Sequence, residues 1–241
     1  MDNRKKTGIS AAAVVMLLVV GSLYWSKRSE PEPRPAAEAP ASPAASETSQ
    51  SPSLTEIGDP ETVTDNGETV VYTPKQIIQT AFGPVRISEG TVTDAGHVSS
   101  GKVAVYYLNA DGKTVRKAFV PAVESGSFGQ IGKVTVRNDF GPYPVLLVEG
   151  GGTWQGYSCG VTTPVELTQD GPVVLADVPT TYSNSGAVED GAVAYEGHLQ
   201  PRPDGKGFDV VYTGEGQTFT ETYLRQGRTF VGPKTSRMPT C

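Results

Sequence analysis

Val103-Ala-Val-Tyr-Tyr-Leu108, followed at once by Asn109-Ala-Asp-Gly112, reads as a β-strand running into a tight turn. β-Branched and aromatic residues suit an extended, pleated backbone, and Asp-Gly supplies turn conformations that most side chains avoid. The same pattern recurs on both sides. Lys133-Val-Thr-Val136, Pro144-Val-Leu-Leu-Val148, Phe208-Asp-Val-Val-Tyr212 and Thr218-Phe-Thr-Glu-Thr-Tyr223 are further short strands. Gln169-Asp-Gly171, Pro203-Asp-Gly205 and Arg225-Gln-Gly227 punctuate them. Residues 54–241 hold 26 of the 28 glycines, a density of turn residues that accompanies many short strands. These residues are expected to form an all-β, antiparallel head, sandwich- or blade-like. One helix is expected within it. Thr73 would cap it, Pro74 suits its first turn, and Ile77, Ile78, Ala81 and Phe82 share a face before Gly83-Pro84.

The middle of the chain also parallels itself. Leu108 to Pro121 aligns with Leu167 to Pro179 through one gap, matching the leucines, Asp-Gly, Val, Ala and the final Val-Pro. Either a tandem β duplication or two hairpins of similar composition accounts for the match.

Upstream of the head the composition changes twice. Thr7 to Trp25 is a run of 19 uncharged residues centred on Ala11-Ala-Ala-Val-Val-Met-Leu-Leu-Val-Val20. As a helix it covers roughly 28 Å, about one hydrocarbon core. Arg4, Lys5 and Lys6 precede it, Tyr24 and Trp25 close it, and Lys27 and Arg28 follow. Residues 26–53 hold six of the 19 prolines among Ala, Ser and Glu, a composition that buries no core. The expected layout is a short cytoplasmic tail (1–6), one transmembrane helix (7–25), a disordered linker (26–53) and an extracytoplasmic β-rich domain (54–241). In the competing reading the apolar run is a signal peptide cut after Ser22, which would release a secreted soluble β protein.

Composition removes several classes of function. The head carries 14 Lys and Arg against 21 Asp and Glu, net −7, with no basic block for nucleic acid. Two cysteines and two histidines provide no four-cysteine zinc or iron–sulfur frame, so neither metal nor cofactor is expected. Gly96-His-Val-Ser-Ser-Gly-Lys102 matches part of a P-loop, but Val103 replaces the magnesium-binding hydroxyl and a strand follows where a helix is needed.

Chemistry by histidine must use His97 or His198. No G-x-S-x-G elbow accompanies them, so no catalytic residue is assigned, and an envelope hydrolase using either one remains the alternative function. Glu149-Gly-Gly-Gly-Thr-Trp-Gln-Gly-Tyr-Ser-Cys-Gly160 places Trp154 and Tyr157 among five glycines. It reads either as a mobile or bulged loop presenting two aromatics to a partner, or as two rings filling a sheet end while glycines make the bends. Tyr143, Phe140 and Tyr182 are candidates to extend such a face, and Trp154, Tyr157 and Tyr143 are the binding candidates.

Cys159 and Cys241 are expected to pair in an oxidising compartment. A free buried thiol and an intermolecular bridge are the alternatives. The function expected from all this is non-enzymatic. A head on a single-pass inner or plasma membrane, in the periplasm or outside the cell, binds or scaffolds an envelope protein or glycan.

Overall fold

A computed structural model describes residues 58–241. The apolar segment and the linker lie outside the described residues. Those described form fourteen strands and no helix. β1 (Glu61–Asp65), β2 (Glu68–Thr80), β3 (Gly83–Val92), β4 (Gly101–Leu108) and β5 (Val115–Ser125) make one antiparallel sheet in chain order. The second sheet runs β14 (Thr229–Val231), β13 (Gln217–Gln226), β12 (Gly207–Gly214), β11 (Ala194–Pro201), β10 (Val178–Ser183), β8 (Tyr157–Thr168), β7 (Val145–Trp154), β6 (Val134–Arg137). β9 (Gly171–Val174) pairs separately with β8.

β4 explains why its sequence is apolar throughout instead of alternating. Every residue from Gly101 to Leu108 is buried. Val103, Val105 and Tyr107 pack with Leu146, Val148, Val165 and Leu167 of the second sheet, so the two sheets share a core. Ala104, Tyr106 and Leu108 point the other way, onto Val70, Tyr72 and Val92. Each large apolar side chain removed from water contributes about 1.5–3 kcal/mol, and β4 collects this on both faces.

A third core fills the second sheet, where Phe208, Tyr212, Phe219, Tyr223 and Phe230 pack with Val145, Leu147 and Val178. The sheet bends round this core far enough for the Phe230 amide to donate to the Leu175 carbonyl, 2.7 Å away, beyond β9. Arg225 of β13 reaches the buried Glu166 of β8 at 2.8 Å.

The segment expected to be helical is strand β2. Ile77 and Ile78 share a face in a helix, but in β2 they face opposite ways, Ile77 into the outer core and Ile78 into the shared one. Pairing with β3 at ten positions outweighs the local capping signals. Pro74, which cannot donate to the ladder, lies where the register shifts between Pro74 and Gln76.

The two segments that match in sequence are both hairpins, with different geometry. Leu108 faces the outer core and Leu167 the shared core. Six residues join β4 to β5, whereas two join β8 to β9.

Cys159 of β8 is bonded to Cys241, with Cα atoms 6.2 Å apart. The chain behind Cys241 is held as a strap. Met238 is buried in the third core, and the Arg237 guanidinium lies 4.2 Å over the Phe219 ring. The buried Glu221 carboxylate accepts the Arg237 amide at 2.5 Å, and Ser236 Oγ sits 2.9 Å from both its oxygens.

Candidate functional site

The glycine-rich stretch is a regular hairpin, not a loop. Gly150, Gly151 and Gly152 pair with Val161, Gly160 and Cys159, and Trp154 pairs with Tyr157 across a two-residue turn. Gln155 and Gly156 take φ of 51° and 84°, as a primed hairpin turn requires. Gly152 is needed for contact, since a Cβ there would stand 2.6 Å from Cζ2 of the Trp154 indole. The ring lies back over its own strand, in the space a side chain would take.

Two other connections meet this tip. His97, between β3 and β4, has Nε2 3.0 Å from the Thr153 carbonyl. A carbonyl only accepts, so Nε2 carries the hydrogen and donates it. The His97 ring stacks on Phe128 (4.6 Å between centroids) and on Trp154 (5.7 Å). Phe128 comes from the β5–β6 connection, anchored by Ser127 Oγ donating to the Gly151 carbonyl at 2.8 Å and by Gly129 N–H donating to Ser99 O. Phe128 is 57% exposed at φ 52°, and the neighbouring Val98 is 81% exposed. A bulky side chain in the left-handed region is costly and persists where its surroundings hold it. The result is an aromatic patch in which His97, Phe128, Val98 and Tyr157 are exposed and Trp154 is half-buried, with Tyr157 backed by the buried Tyr182 at 6.5 Å.

Of the three binding candidates, Trp154 and Tyr157 come together and Tyr143 does not join them. Tyr143 precedes the opposite end of β7, about 30 Å of strand away, and packs against Phe82 at 6.2 Å. Phe140 and Tyr182 are core residues. Phe128 and Val98 escaped the sequence reading, although Ser125-Gly-Ser-Phe-Gly129 carries the same signal as the tip, an aromatic among glycines.

His198 is exposed on β11 with Nε2 3.7 Å from Glu196. Among the described residues neither histidine is hydrogen-bonded to a serine hydroxyl, and no group of three or more His, Cys, Asp or Glu side chains is placed to hold a metal ion. What the tip offers chemically is ring faces, an imidazole fixed through one nitrogen, and backbone carbonyls. Comparison with protein-family models, with curated proteins and with solved structures gives no match to this chain.

Proposed function

We propose that this chain is a membrane-anchored envelope protein whose β-rich head captures a protein or glycan partner through the aromatic tip, without catalysing a reaction. The observation that carries the reading is the stack of His97 on Phe128 and Trp154, assembled from three connections, with His97 and Phe128 exposed and Trp154 half-buried. Aromatic side chains provide much contact area at low entropic cost and dominate binding energetics when a partner covers them. The disulfide fits an oxidising compartment, as the periplasm or cell exterior requires. The apolar run and the proline-rich stretch support an anchor and a tether.

A photo-reactive residue introduced at Val98 in intact cells tests the proposal. A discrete adduct that disappears when Trp154→Ala is added, while the head keeps its melting temperature, is the expected result. Loss of Trp154 should weaken capture by about 2 kcal/mol, roughly thirtyfold. An adduct indifferent to Trp154, or a melt that collapses in Trp154→Ala, would return the indole to a structural role.

A further inference from the structure

The first sheet curls far enough for the Tyr106 hydroxyl of β4 to donate to Glu61 of β1, three strands along, at 2.9 Å. Arg86 of β3 pairs with Tyr106 and so shares this face, half-buried, its guanidinium carbon 4.3 Å from the centre of the Tyr106 ring. Its Nε is buried and makes no hydrogen bond among the described residues. Arg137, Arg202 and Arg225 each pair with a carboxylate, whereas Arg86 pairs with none among the described residues. Stacking on the ring offsets part of the cost of a half-buried cation but gives its N–H groups no acceptor in their plane. A guanidinium held flat in this way suits a carboxylate, which takes two parallel N–H bonds from it.

The described chain begins at this guanidinium. A Cβ on Gly58 would stand 3.2 Å from Arg86 Nη1, so the backbone passes close beside it. Asp59 is exposed and makes no ion pair with Arg86, and Glu61 already accepts the Tyr106 hydroxyl. Upstream, Leu54-Thr-Glu-Ile57 puts Glu56 two residues from Gly58, within about 7 Å of chain. Glu47 is the next carboxylate, and closing that longer loop costs more conformational entropy. In an extended chain Leu54 falls on the same side as Glu56. That side meets the half-buried Ile77, which lies directly opposite Arg86 in the β2–β3 ladder.

We infer that residues 54–57 dock on this face of the first sheet as a latch, with the Glu56 carboxylate on the Arg86 guanidinium and Leu54 against Ile77. The contact joins the upstream chain to β3, inside the sheet, and fixes where that chain leaves the head. A pull on the upstream chain then loads β3 before it can peel the edge strand β1. The latch is separate from the aromatic tip and does not depend on the function proposed there.

Native-state proteolysis of the full chain in detergent micelles tests it. Thermolysin cuts ahead of Leu54, and intact mass follows that cut, each rate being divided by that of a free peptide with the same residues 50–60. Glu56→Gln and Arg86→Gln should each speed the cut about tenfold. Glu56→Arg combined with Arg86→Glu should return it to the wild-type rate. Glu56 lies outside the described strands, so Glu56→Gln should keep the melting temperature of the head and tests the contact even where Arg86→Gln fails to fold. An unchanged rate in Glu56→Gln, or a folded double variant cut as fast as the single ones, would overturn the inference.

Discussion

Two side chains show how far single residues set local behaviour. Asp111, in the β4–β5 turn, accepts the amides of Lys113 and Thr114 at 2.9 Å each and the Thr114 hydroxyl at 2.5 Å. The Thr114 hydroxyl and these two amides stabilise the ionised form and lower its pKa to about 2. A depressed carboxyl stabilises the fold fully above its unfolded pKa and loses that contribution as pH falls through its folded one. The turn should therefore loosen between about pH 4 and pH 2, and the Asp111 carboxyl resonance should titrate near the lower limit. Tyr107 behaves differently. Its hydroxyl is buried without a hydrogen-bond partner, and burial pushes its pKa up to about 12. Tyr107→Phe removes an unsatisfied polar atom and nothing else, so chemical denaturation should show it neutral or stabilising by up to about 1 kcal/mol. Neither effect is legible in the sequence beyond the turn signal at Asp111, since hydroxyl satisfaction depends on neighbours brought from other strands.

At the scale of elements, strands were legible where side chains carried the pattern and misread where the pattern was ambiguous. Val103 to Leu108 reads correctly as strand because no helical stripe competes with its β-branched and aromatic residues. Ile77, Ile78, Ala81 and Phe82 satisfy a helical face equally well, and only the partner strand β3 decides between the two. The glycines at 150–152 carry no side-chain pattern at all, so a paired strand and a loop look alike in sequence. Their need for bareness is testable. Gly152→Val should displace the Trp154 ring from its strand, lowering stability by about 1–3 kcal/mol and changing the indole fluorescence, whereas substitution at Gly205, with nothing near its Cβ position, should lack the packing part of that cost. The disulfide followed from cysteine count, and the alternatives of free thiol and intermolecular bridge fall away for the described residues. Replacing both cysteines by serine should cost about 4–5 kcal/mol in the chain-entropy model, read as a lowered denaturation midpoint. The strap adds to that coupling, because Glu221 depends on Ser236 and Arg237 for its hydrogen bonds.

For the whole molecule, the shared core makes two sheets one cooperative object. Leu146 and Val148 belong to the second sheet yet pack against β3 and β4 of the first. Leu146→Ala should cost about 2–5 kcal/mol, and near- and far-ultraviolet circular dichroism should still report one coincident transition. All-β antiparallel architecture was visible in turn density and strand grammar. Turns such as Arg225-Gln-Gly227 mark neighbours within a hairpin, β13 and β14 among them, but the pairing of β8 with β10 across the intervening β9 leaves no mark on either sequence alone. The two ends of the described chain also have practical consequences. Gly58 lies against the guanidinium of Arg86, six residues and about 20 Å of strand from Val92, where the aromatic end begins. Cys241, by contrast, is bonded to the residue directly opposite Gly152 and two positions from Tyr157. A purification tag or surface-coupling handle fused after Cys241 would therefore sit next to the rings it is meant to leave free. Attachment upstream of Gly58 presents the tip to solution, and that is the geometry in which a capture assay should be built.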